Sequence, residues 1–508
     1  MADVTPTDVG QLSPDGRFRW DGVQWLPVIA NPPPVWATPR VRSNASAATL
    51  VSALLIGLVA DQWLRTGAFG IGASLTFVLG ALVVVWIGGL ERFESRVLVA
   101  LAAVFASWFT LRASPWLLAP DLLVAISLLG LAASIAVRGS LLDLGVSEVG
   151  ARAFQVLVQM VAGAAFVAMP ALRARGRLSA AAPLIRGMLI AAPIAALLAA
   201  LLASADPVFA SFFNLNVNAG QLLLDAAFVA FGALCVAGLL RLSASEPVER
   251  VDGPAWRLGA TEALVVLAVL DAVFVAFVVA QVLAATGVAG DTLRSAGVTY
   301  SDYARSGFFQ LLWVGGITLA VLFVFSRISR FSDRKSHLSF MVLAQCAIAL
   351  TLLIVVVAFR RLSLYEEAYG FTMLRLYSHI FAVWIAVVFL LLALDFLGVW
   401  SRRRWFIGAM LATGIAVLLG LNFVNPEAVV VSLNTSHAQT THKIDGDYLS
   451  QLSSDATPAL LASRDAFDPA LRVQVNQAAC AGNRVYSPPI AAFNLSDAQA
   501  ATARRAGC

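Results

Sequence analysis

Apolar runs of about 20 residues, the length that crosses a bilayer as an α-helix, alternate with short polar loops through most of the chain. Twelve such runs occur, at about 45–64, 68–90, 97–111, 116–137, 153–170, 183–204, 219–240, 261–285, 307–326, 338–359, 376–398 and 405–424. Each is long enough, or nearly so, to span the hydrocarbon core. The pattern predicts an all-α integral membrane helical bundle of about 11 (11–12) transmembrane helices.

Basic residues in the loops predict the orientation of this bundle. The run that ends at Phe325 is followed by Arg327, Arg330, Arg334 and Lys335. Because Lys and Arg near the ends of spans are retained on the inside, this end is predicted to be cytoplasmic. The same rule places the N-terminus in the cytoplasm if one of the twelve runs does not cross.

Segment 153–170 is the run that differs from its neighbours. Arg152, Gln155 and Gln159 recur at helical spacing and give it a polar stripe. An interfacial or re-entrant helix fits this pattern, and so does a helix buried against other spans. If the segment does not cross, the arginines between 138 and 186 share the cytoplasmic side. We therefore predict eleven spans with the C-terminus outside, and twelve spans is the alternative.

Composition and charge agree with a polytopic membrane protein. The chain is 59% hydrophobic and 13% charged, whereas soluble domains carry about 25% charged residues. The net charge of +5 resides mostly in loop arginines, and the chain lacks a basic stripe with interleaved aromatics, which excludes nucleic acid as a partner. The predicted partner is the lipid bilayer of a bacterial cell membrane, with an envelope protein or lipid as a further candidate.

Four regions follow from these patterns. They are a small Trp-containing cytoplasmic module (1–30), a Pro-rich linker (31–44), the polytopic membrane domain (45–424) and a soluble extracytoplasmic tail (425–508). In the N-terminal module, Arg17–Trp20 and Val23–Leu26 alternate like two short strands separated by the turn dipeptide Asp21-Gly22.

The tail is predicted to be folded and mainly helical. Ala428–Leu433 is strand-like, while Asp445–Leu452 and Asp455–Ser463 have the composition of short helices. Ser496 and Gln499 form a capping-box pattern ahead of a last helix.

Two resemblances rest on short motifs. The run Ser13–Trp25, with its two Asp-Gly turns, resembles a short Trp-containing module found at the ends of actinobacterial membrane proteins. A second set of motifs lies between Leu184 and Leu460. These motifs are Ser204–Phe209, Tyr303–Phe309, Tyr369–Thr372 with Arg375, Asn425-Pro426-Glu427, and Asp447–Leu449 continuing to Ser454–Leu460. A similar short motif recurs at Phe493-Asn494-Leu495-Ser496. Together these resemble the bacterial membrane family catalogued as domain of unknown function 4173, which is close to the one numbered 4153. The resemblance implies an integral membrane protein and carries no catalytic roles.

On the predicted topology several of these motif loops fall on the outer side, beside the tail. We expect a candidate outer polar surface there, in which Arg305 and Arg375 meet acidic side chains. Its six residues are Asp206, Asp302, Arg305, Glu366, Glu367 and Arg375. The alternative is ordinary anchoring of Tyr and Arg at headgroup depth.

Inside the membrane the chain offers one carboxylate near mid-span, Asp271. Gln281 lies on the same segment, and Gln310 and Gln345 lie on other spans. A charge at that depth costs a few kcal/mol or more and is a functional hypothesis by default. Proton-coupled transport through Asp271 is one interpretation, and a hydrogen-bonded side chain that holds helices together is the other.

The tail carries the remaining candidate chemistry. Cys480 and Cys508 would meet oxidising conditions outside the cell and form a candidate disulfide. His437, His442, Asp445 and Asp447 are metal-capable, but their spacing fits no standard ligand set, so we predict a polar loop and no metal or other cofactor.

Three function classes remain open at this stage. The first, which the gathering of polar motifs outside the bundle favours, is a structural, sensory or assembly component of the cell envelope. The second is a secondary transporter that uses Asp271. The third is a membrane enzyme on lipid-linked substrates. No G-x-S-x-G motif, P-loop or kinase signature occurs in the sequence.

Overall fold

The computed structural model describes residues 18–20, 25–27, 41, 45–137, 140, 145–173, 219–246, 257–285, 308–331, 333–399 and 405–508, with isolated helical positions between 187 and 202. Within these residues ten helices are long and apolar enough to cross a membrane, and Ile71–Ile87 is a shorter apolar helix. The prediction of an all-α polytopic bundle is confirmed. Most of segment 183–204 lies outside the described residues.

Six helices of the described residues form a first group at the N-terminal side of the chain. They are α1 (Ala47–Thr66), α2 (Ile71–Ile87), α3 (Phe93–Leu111), α4 (Pro115–Ser134), α5 (Val146–Arg173) and α6 (Ala219–Ser243). Their core is built on buried aromatic and small side chains, among them Phe105, Phe109 and Ala73. Large apolar side chains such as Trp86 and Val161 are 80% and 83% exposed, as expected of helices that face lipid rather than water.

Close backbone approach holds α5 against α6. A methyl group added to Gly163 would lie 2.5 Å from the Gly238 nitrogen, and one added to Gly238 would lie 2.5 Å from the Met160 Cα. Glycines permit this contact because they have no side chain to keep the two backbones apart. In a membrane such close packing drives helix association, since apolar side chains gain nothing by leaving lipid for one another.

The polar stripe of α5 is buried between helices. Arg152, Gln155 and Gln159 are all under 10% exposed. The Arg152 guanidinium donates to the Ser134 carbonyl at 2.9 Å, and Arg241 donates to the Gln159 side chain. Residues 147–169 also have the length and hydropathy of a membrane span. These contacts favour a helix packed against other spans over an interfacial helix.

Between residues 257 and 424, five described helices form a second group. They are α7 (Ala260–Ala285), α8 (Phe308–Ile328), α9 (Arg334–Tyr369), α10 (Met373–Phe396) and α11 (Trp405–Val424). They share a core that includes Leu267, Leu322 and Phe389. Two-residue strands β3 (Leu258–Gly259) and β4 (Ser329–Arg330) pair in parallel beside the start of α7 and the end of α8. In chain order they follow strands β1 (Phe18–Trp20) and β2 (Trp25–Pro27) of the N-terminal module.

The tail continues directly from the second group. Asn425 adopts a left-handed conformation (φ 58°), and its side chain caps the next helix by accepting from the Ala428 N–H. The tail helices are α12 (Pro426–Thr441), α13 (Gly446–Ser450), α14 (Thr457–Ser463), α15 (Pro469–Cys480) and α16 (Leu495–Gly507).

Two local predictions in the tail are wrong. Ala428–Leu433 lies inside helix α12, because the Asn425 cap and Pro426 at the first turn start a helix that overrides the β-propensity of the valines. The cap of α16 is Asn494 rather than Ser496, since the Asn494 side chain accepts from the N–H groups of Ser496 and Asp497.

The N-terminal module has the predicted hairpin pairing. Strands β1 (Phe18–Trp20) and β2 (Trp25–Pro27) are antiparallel, with Trp20 opposite Trp25.

The tail and the segment before α1 lie at opposite ends of the first group. Gly70 and Gly72, just after α1, pack against the tail at Phe493 and Ala491. Val41, just before α1, pairs with Ser245 at the far end of α6. We call the end that contacts the tail the tail-proximal end, and the other the remote end.

Candidate functional site

A buried carboxylate fastens the tail to the first helical group. Asp455 is 3% exposed. Its Oδ2 accepts from the Ala113 and Ser114 N–H groups at 3.0 and 2.8 Å, and its Oδ1 accepts from the Ser496 hydroxyl at 2.5 Å. Ser114 is the N-cap of α4, so the carboxylate satisfies N–H groups that lack intrahelical partners and lies at the positive end of the helix dipole.

Further amide and carboxylate side chains of the tail add hydrogen bonds to this junction, some to the end of α3 and some within the tail. Asn494 donates to the Phe109 and Arg112 carbonyls at the end of α3, at 3.1 and 2.8 Å. Asn425 donates to the Asp455 carbonyl at 3.0 Å. Glu427 Oε2 accepts from the N–H and hydroxyl of Ser453 at 2.8 and 2.7 Å. We call Asn425, Glu427, Asp455, Asn494 and Ser496 the polar latch.

Burial changes the ionisation of the latch. Desolvation raises the pKa of the Glu427 carboxyl, and the nearby Asp455 charge raises it further. Hydrogen bonds from the N–H and hydroxyl of Ser453 act in the opposite direction. The net effect is a raised pKa, so the charged form of Glu427 is disfavoured in the folded protein.

Three of the sequence motifs meet in the latch. Asn425-Pro426-Glu427, Ser454–Leu460 and Phe493–Ser496 are separated in the chain but supply every latch residue. They join the tail to the turn between α3 and α4 at Arg112, Ala113 and Ser114. These motifs therefore have a structural role in docking.

A polar groove opens where the tail faces the turn between α9 and α10. Its cavity volume is about 840 Å³. Its polar side chains are Thr372, Arg375, Asn434, His437, Lys443, Asp445, Asp447, Tyr448, Ser450, Gln474 and Gln477. We call it the turn–tail groove. It contains the Tyr369–Arg375 motif and three of the four metal-capable residues of the tail, His437, Asp445 and Asp447.

The walls of this groove are held by hydrogen bonds across the junction. Asn434 accepts from the Phe371 N–H at 2.9 Å and donates to the Phe371 carbonyl at 2.8 Å. The Tyr448 hydroxyl accepts from the Met373 N–H at 2.6 Å, and burial raises the pKa of that hydroxyl. The tail thus contacts the second helical group as well as the first.

The candidate outer polar surface is only partly described. Arg375 lies on the turn–tail groove, where its guanidinium donates to the Tyr369 and Gly370 carbonyls and stacks over the Tyr365 ring at 4.4 Å. Glu367 is exposed and faces Arg360 at 3.9 Å. Asp206, Asp302 and Arg305 lie outside the described residues, so their grouping with Arg375 stays a prediction.

Glu366 differs from the exposed surface residue that we expected. It is 4% exposed, and its Oε1 lies 3.2 Å from the His379 Nδ1 on α10. This partner was missed because His379 lies 13 positions after Glu366, beyond the turn between α9 and α10, at the start of an apolar run. A carboxylate near the end of one helix with a histidine near the start of the next is the signal that could have indicated the pair.

The intramembrane candidates do not form one cluster. Gln345 donates to the Ala393 carbonyl at 3.0 Å, Gln281 accepts from Arg361 at 3.1 Å, and Gln310 is exposed. Asp271 is 8% exposed, and neither carboxylate oxygen has a hydrogen-bond partner among the described residues. A buried polar pair lies elsewhere in the bundle, where the Asn422 side-chain amide donates to the Asp121 carboxylate at 2.8 Å.

The tail contains one disulfide bond, and its two histidines do not meet each other. Cys480 and Cys508 form a disulfide with a Cα–Cα distance of 5.9 Å. His442 pairs with Asp468 at 2.7 Å rather than with His437. Among the described residues no three His, Cys, Asp or Glu side chains are grouped as metal ligands would be.

Comparison with protein families assigns the chain. Residues 98–463 match the family described as Domain of unknown function (DUF4153). This chain is a DUF4153 protein. The matched range covers most helices of the bundle and the tail as far as α14, and it includes the Asp455 side of the latch. Membership of the related family numbered 4173, and of the actinobacterial module family, stays a prediction. No curated protein and no solved structure matches the chain.

Proposed function

We propose that this DUF4153 protein is a sensory or assembly component of the bacterial cell envelope, with the N-terminus cytoplasmic and the tail extracytoplasmic. In this proposal the docked tail carries the function, and the turn–tail groove binds an envelope component. The membrane helices hold the tail at the bilayer surface.

The observation that carries the proposal is the polar latch. Burying Asp455 and Glu427 is costly unless every group is paired. Here Asp455 accepts from two N–H groups of the bundle, and Glu427 accepts from Ser453 within the tail. A tail that served only as a tether would not need buried charge at its junction. Fixed docking instead keeps the groove walls, which come from two separate parts of the chain, in register.

The distribution of basic residues supports the orientation. Arg327, Arg330, Arg334 and Lys335 lie where α8 ends and α9 begins. That loop is at the remote end, because α9 runs from there to the turn that contacts the tail. Lys and Arg retained on the inside would make the remote end cytoplasmic.

Complementation of a gene deletion tests the proposal. The full-length Asp455→Ala variant should behave like a chain that lacks residues 425–508, with equal membrane levels and loss of the deletion-strain rescue. Asp465→Ala is the matched control, because Asp465 is exposed on the same tail and makes only a 3.7 Å contact with Arg472. Full rescue by the tail-less chain would overturn the proposal.

A further inference from the structure

Three side chains at the tail-proximal end of α9 and α10 are arranged as a nucleophile, a base and an acid. The Ser363 hydroxyl oxygen lies 3.3 Å from the His379 Nε2. The opposite ring nitrogen of His379, Nδ1, lies 3.2 Å from the Glu366 Oε1. This order, in which the hydroxyl and the carboxylate meet different ring nitrogens, is the one by which serine hydrolases are recognised on unrelated folds.

Burial fits these roles. The His379 and Glu366 side chains are 15% and 6% exposed, while Ser363 is half-buried. Glu366 Oε1 faces the His379 Nδ1 at 3.2 Å but makes no hydrogen bond with any described residue in this resting structure, and the proposed role requires that this contact align when substrate binds. A buried acid that orients a histidine, with the nucleophile nearer the surface, is the arrangement that such chemistry requires.

The hydroxyl also has a resting position. Ser363 Oγ lies 3.1 Å from the Phe359 carbonyl one turn earlier on α9, so its single proton is donated either there or to His379. Catalytic hydrogen bonds are often long in proteins without substrate and shorten when it binds.

The depth of the cluster indicates the class of substrate. The apolar run of α9 ends at Phe359, and Arg360, Ser363 and Glu366 follow it. Helix α9 has 36 residues, about 54 Å at 1.5 Å per residue, and so extends well beyond the roughly 30 Å hydrocarbon core. The cluster therefore lies at the level of lipid headgroups and the adjoining ester bonds, with Phe359 39% exposed beside it.

We propose that Ser363, His379 and Glu366 form a hydrolytic site for long-chain acyl esters of membrane lipids. This activity goes beyond the proposed envelope function and does not depend on the turn–tail groove. Ser363 and His379 are the catalytic residues, and Glu366 is a positioning residue that acts through His379.

The reaction is a double displacement. Ser363 Oγ bonds to the ester carbonyl carbon while its proton passes to His379 Nε2, and the ester C–O bond then breaks as the alcohol leaves with that proton. Water repeats the sequence on the acyl-serine, which releases the carboxylic acid and restores the hydroxyl. Arg360 is one turn before Ser363 on the same helix face and is 68% exposed. In the proposed reaction its guanidinium, which faces Glu367 at 3.9 Å in this structure, moves to offset the negative charge that develops on the carbonyl oxygen.

Labelling of the full-length protein with a fluorophosphonate probe tests the nucleophile. In lipid–detergent micelles we expect covalent modification of the Ser363 peptide, reduced 100-fold or more in Ser363→Ala and His379→Ala, since removing either member of such a triad abolishes most of the rate. The exposed Ser432→Ala variant is the control and should label as the unsubstituted protein does. Absence of label, or equal label in Ser363→Ala, would overturn the site.

Two further measurements separate catalysis from folding. Glu366→Gln should slow labelling at least 10-fold and Glu366→Asp should recover part of it, whereas a merely structural Glu366 would leave the labelling rate per folded molecule unchanged. In Ser363→Cys, iodoacetamide should alkylate residue 363 at least 10-fold faster than in the same variant combined with His379→Ala. Equal alkylation rates would count against an activating base.

Substrate class is tested with vesicles of phosphatidylethanolamine and phosphatidylglycerol that carry a fluorogenic acyl ester. Release of the fatty acid by the unsubstituted protein and not by Ser363→Ala is the expected result. Cleavage of a water-soluble short-chain ester alone would overturn the assignment to membrane lipids. Full lipase activity in the latch variant Asp455→Ala would show that this site works without the proposed envelope function.

Discussion

At the scale of single residues, Asp455 joins the tail to the turn that precedes α4. One carboxylate satisfies the N–H groups of Ala113 and Ser114 and the hydroxyl of Ser496. Its sequence neighbours indicate a short helix, and that prediction was correct. Nothing local reveals the contact with Ser114, because the two residues are 341 positions apart.

Replacing Asp455 by Ala should lower the free energy of unfolding of the docked tail by about 2–4 kcal/mol, since the substitution leaves buried N–H groups unpaired. The measurement is the rate of limited proteolysis of the tail in detergent, compared with Asp465→Ala, for which a change within about 0.5 kcal/mol is expected. Equal protection of the two variants would contradict the role of the latch.

Glu427 should make tail stability depend on pH. Its pKa is raised above the ordinary 4.5 in the folded protein, so the folded state binds more protons than the unfolded state just above pH 4.5. Stability therefore falls as pH rises from 4.5 through the raised pKa and is constant above it. Glu427→Gln should remove this decline, as measured by thermal unfolding at several pH values. An unchanged pH profile would refute the shift.

At the scale of elements, the crossing of α5 and α6 depends on glycine. Gly238→Val should disrupt this crossing, because Gly238 already lies against the Met160 backbone, and overpacking typically costs about 1–3 kcal/mol. Gly150→Ala on α5 is the control, since nothing lies within 4 Å of the added methyl. The yield of monodisperse protein and its thermal midpoint report the effect, and similar midpoints for both variants would contradict it.

The link between α15 and the end of α16 is covalent. Cys508→Ser should lower the free energy of unfolding of the tail by about 3–4 kcal/mol, because the bridge closes a loop across 28 positions and restricts the unfolded chain. Reductant should reproduce the loss in the unsubstituted protein, and Cys346→Ser should not. A thiol assay that finds Cys480 and Cys508 reactive without reductant would disprove the bridge.

At the scale of the whole molecule, the orientation is the prediction on which localisation depends. Cysteine introduced at Thr440 in the tail should react with a membrane-impermeant maleimide in intact cells. Cysteine introduced at Ser336, at the remote end, should react only after permeabilisation. Thr440 is exposed and Ser336 is partly exposed, and the protein without the new cysteines gives the background from Cys346. Labelling of both positions in intact cells, or of Ser336 alone, would reverse or remove the predicted topology.

The sequence by itself determined the class of the molecule and the existence of nearly every described helix. Apolar length is a local property, and in a bilayer each span must satisfy its own backbone hydrogen bonds, so a single run of residues specifies a helix without its neighbours. The loop arginines and the folded tail could be recognised on similar grounds.

Only the tertiary structure decided what the polar residues meet. The motif at Asn425–Glu427 became part of a latch, Glu366 turned inward to His379 and Ser363, and the four intramembrane candidates separated. A carboxylate or amide has the same sequence appearance whether it caps a distant helix, faces lipid headgroups or binds a ligand. Its partner is chosen by packing between segments hundreds of residues apart, and side-chain periodicity along one helix carries no record of that choice.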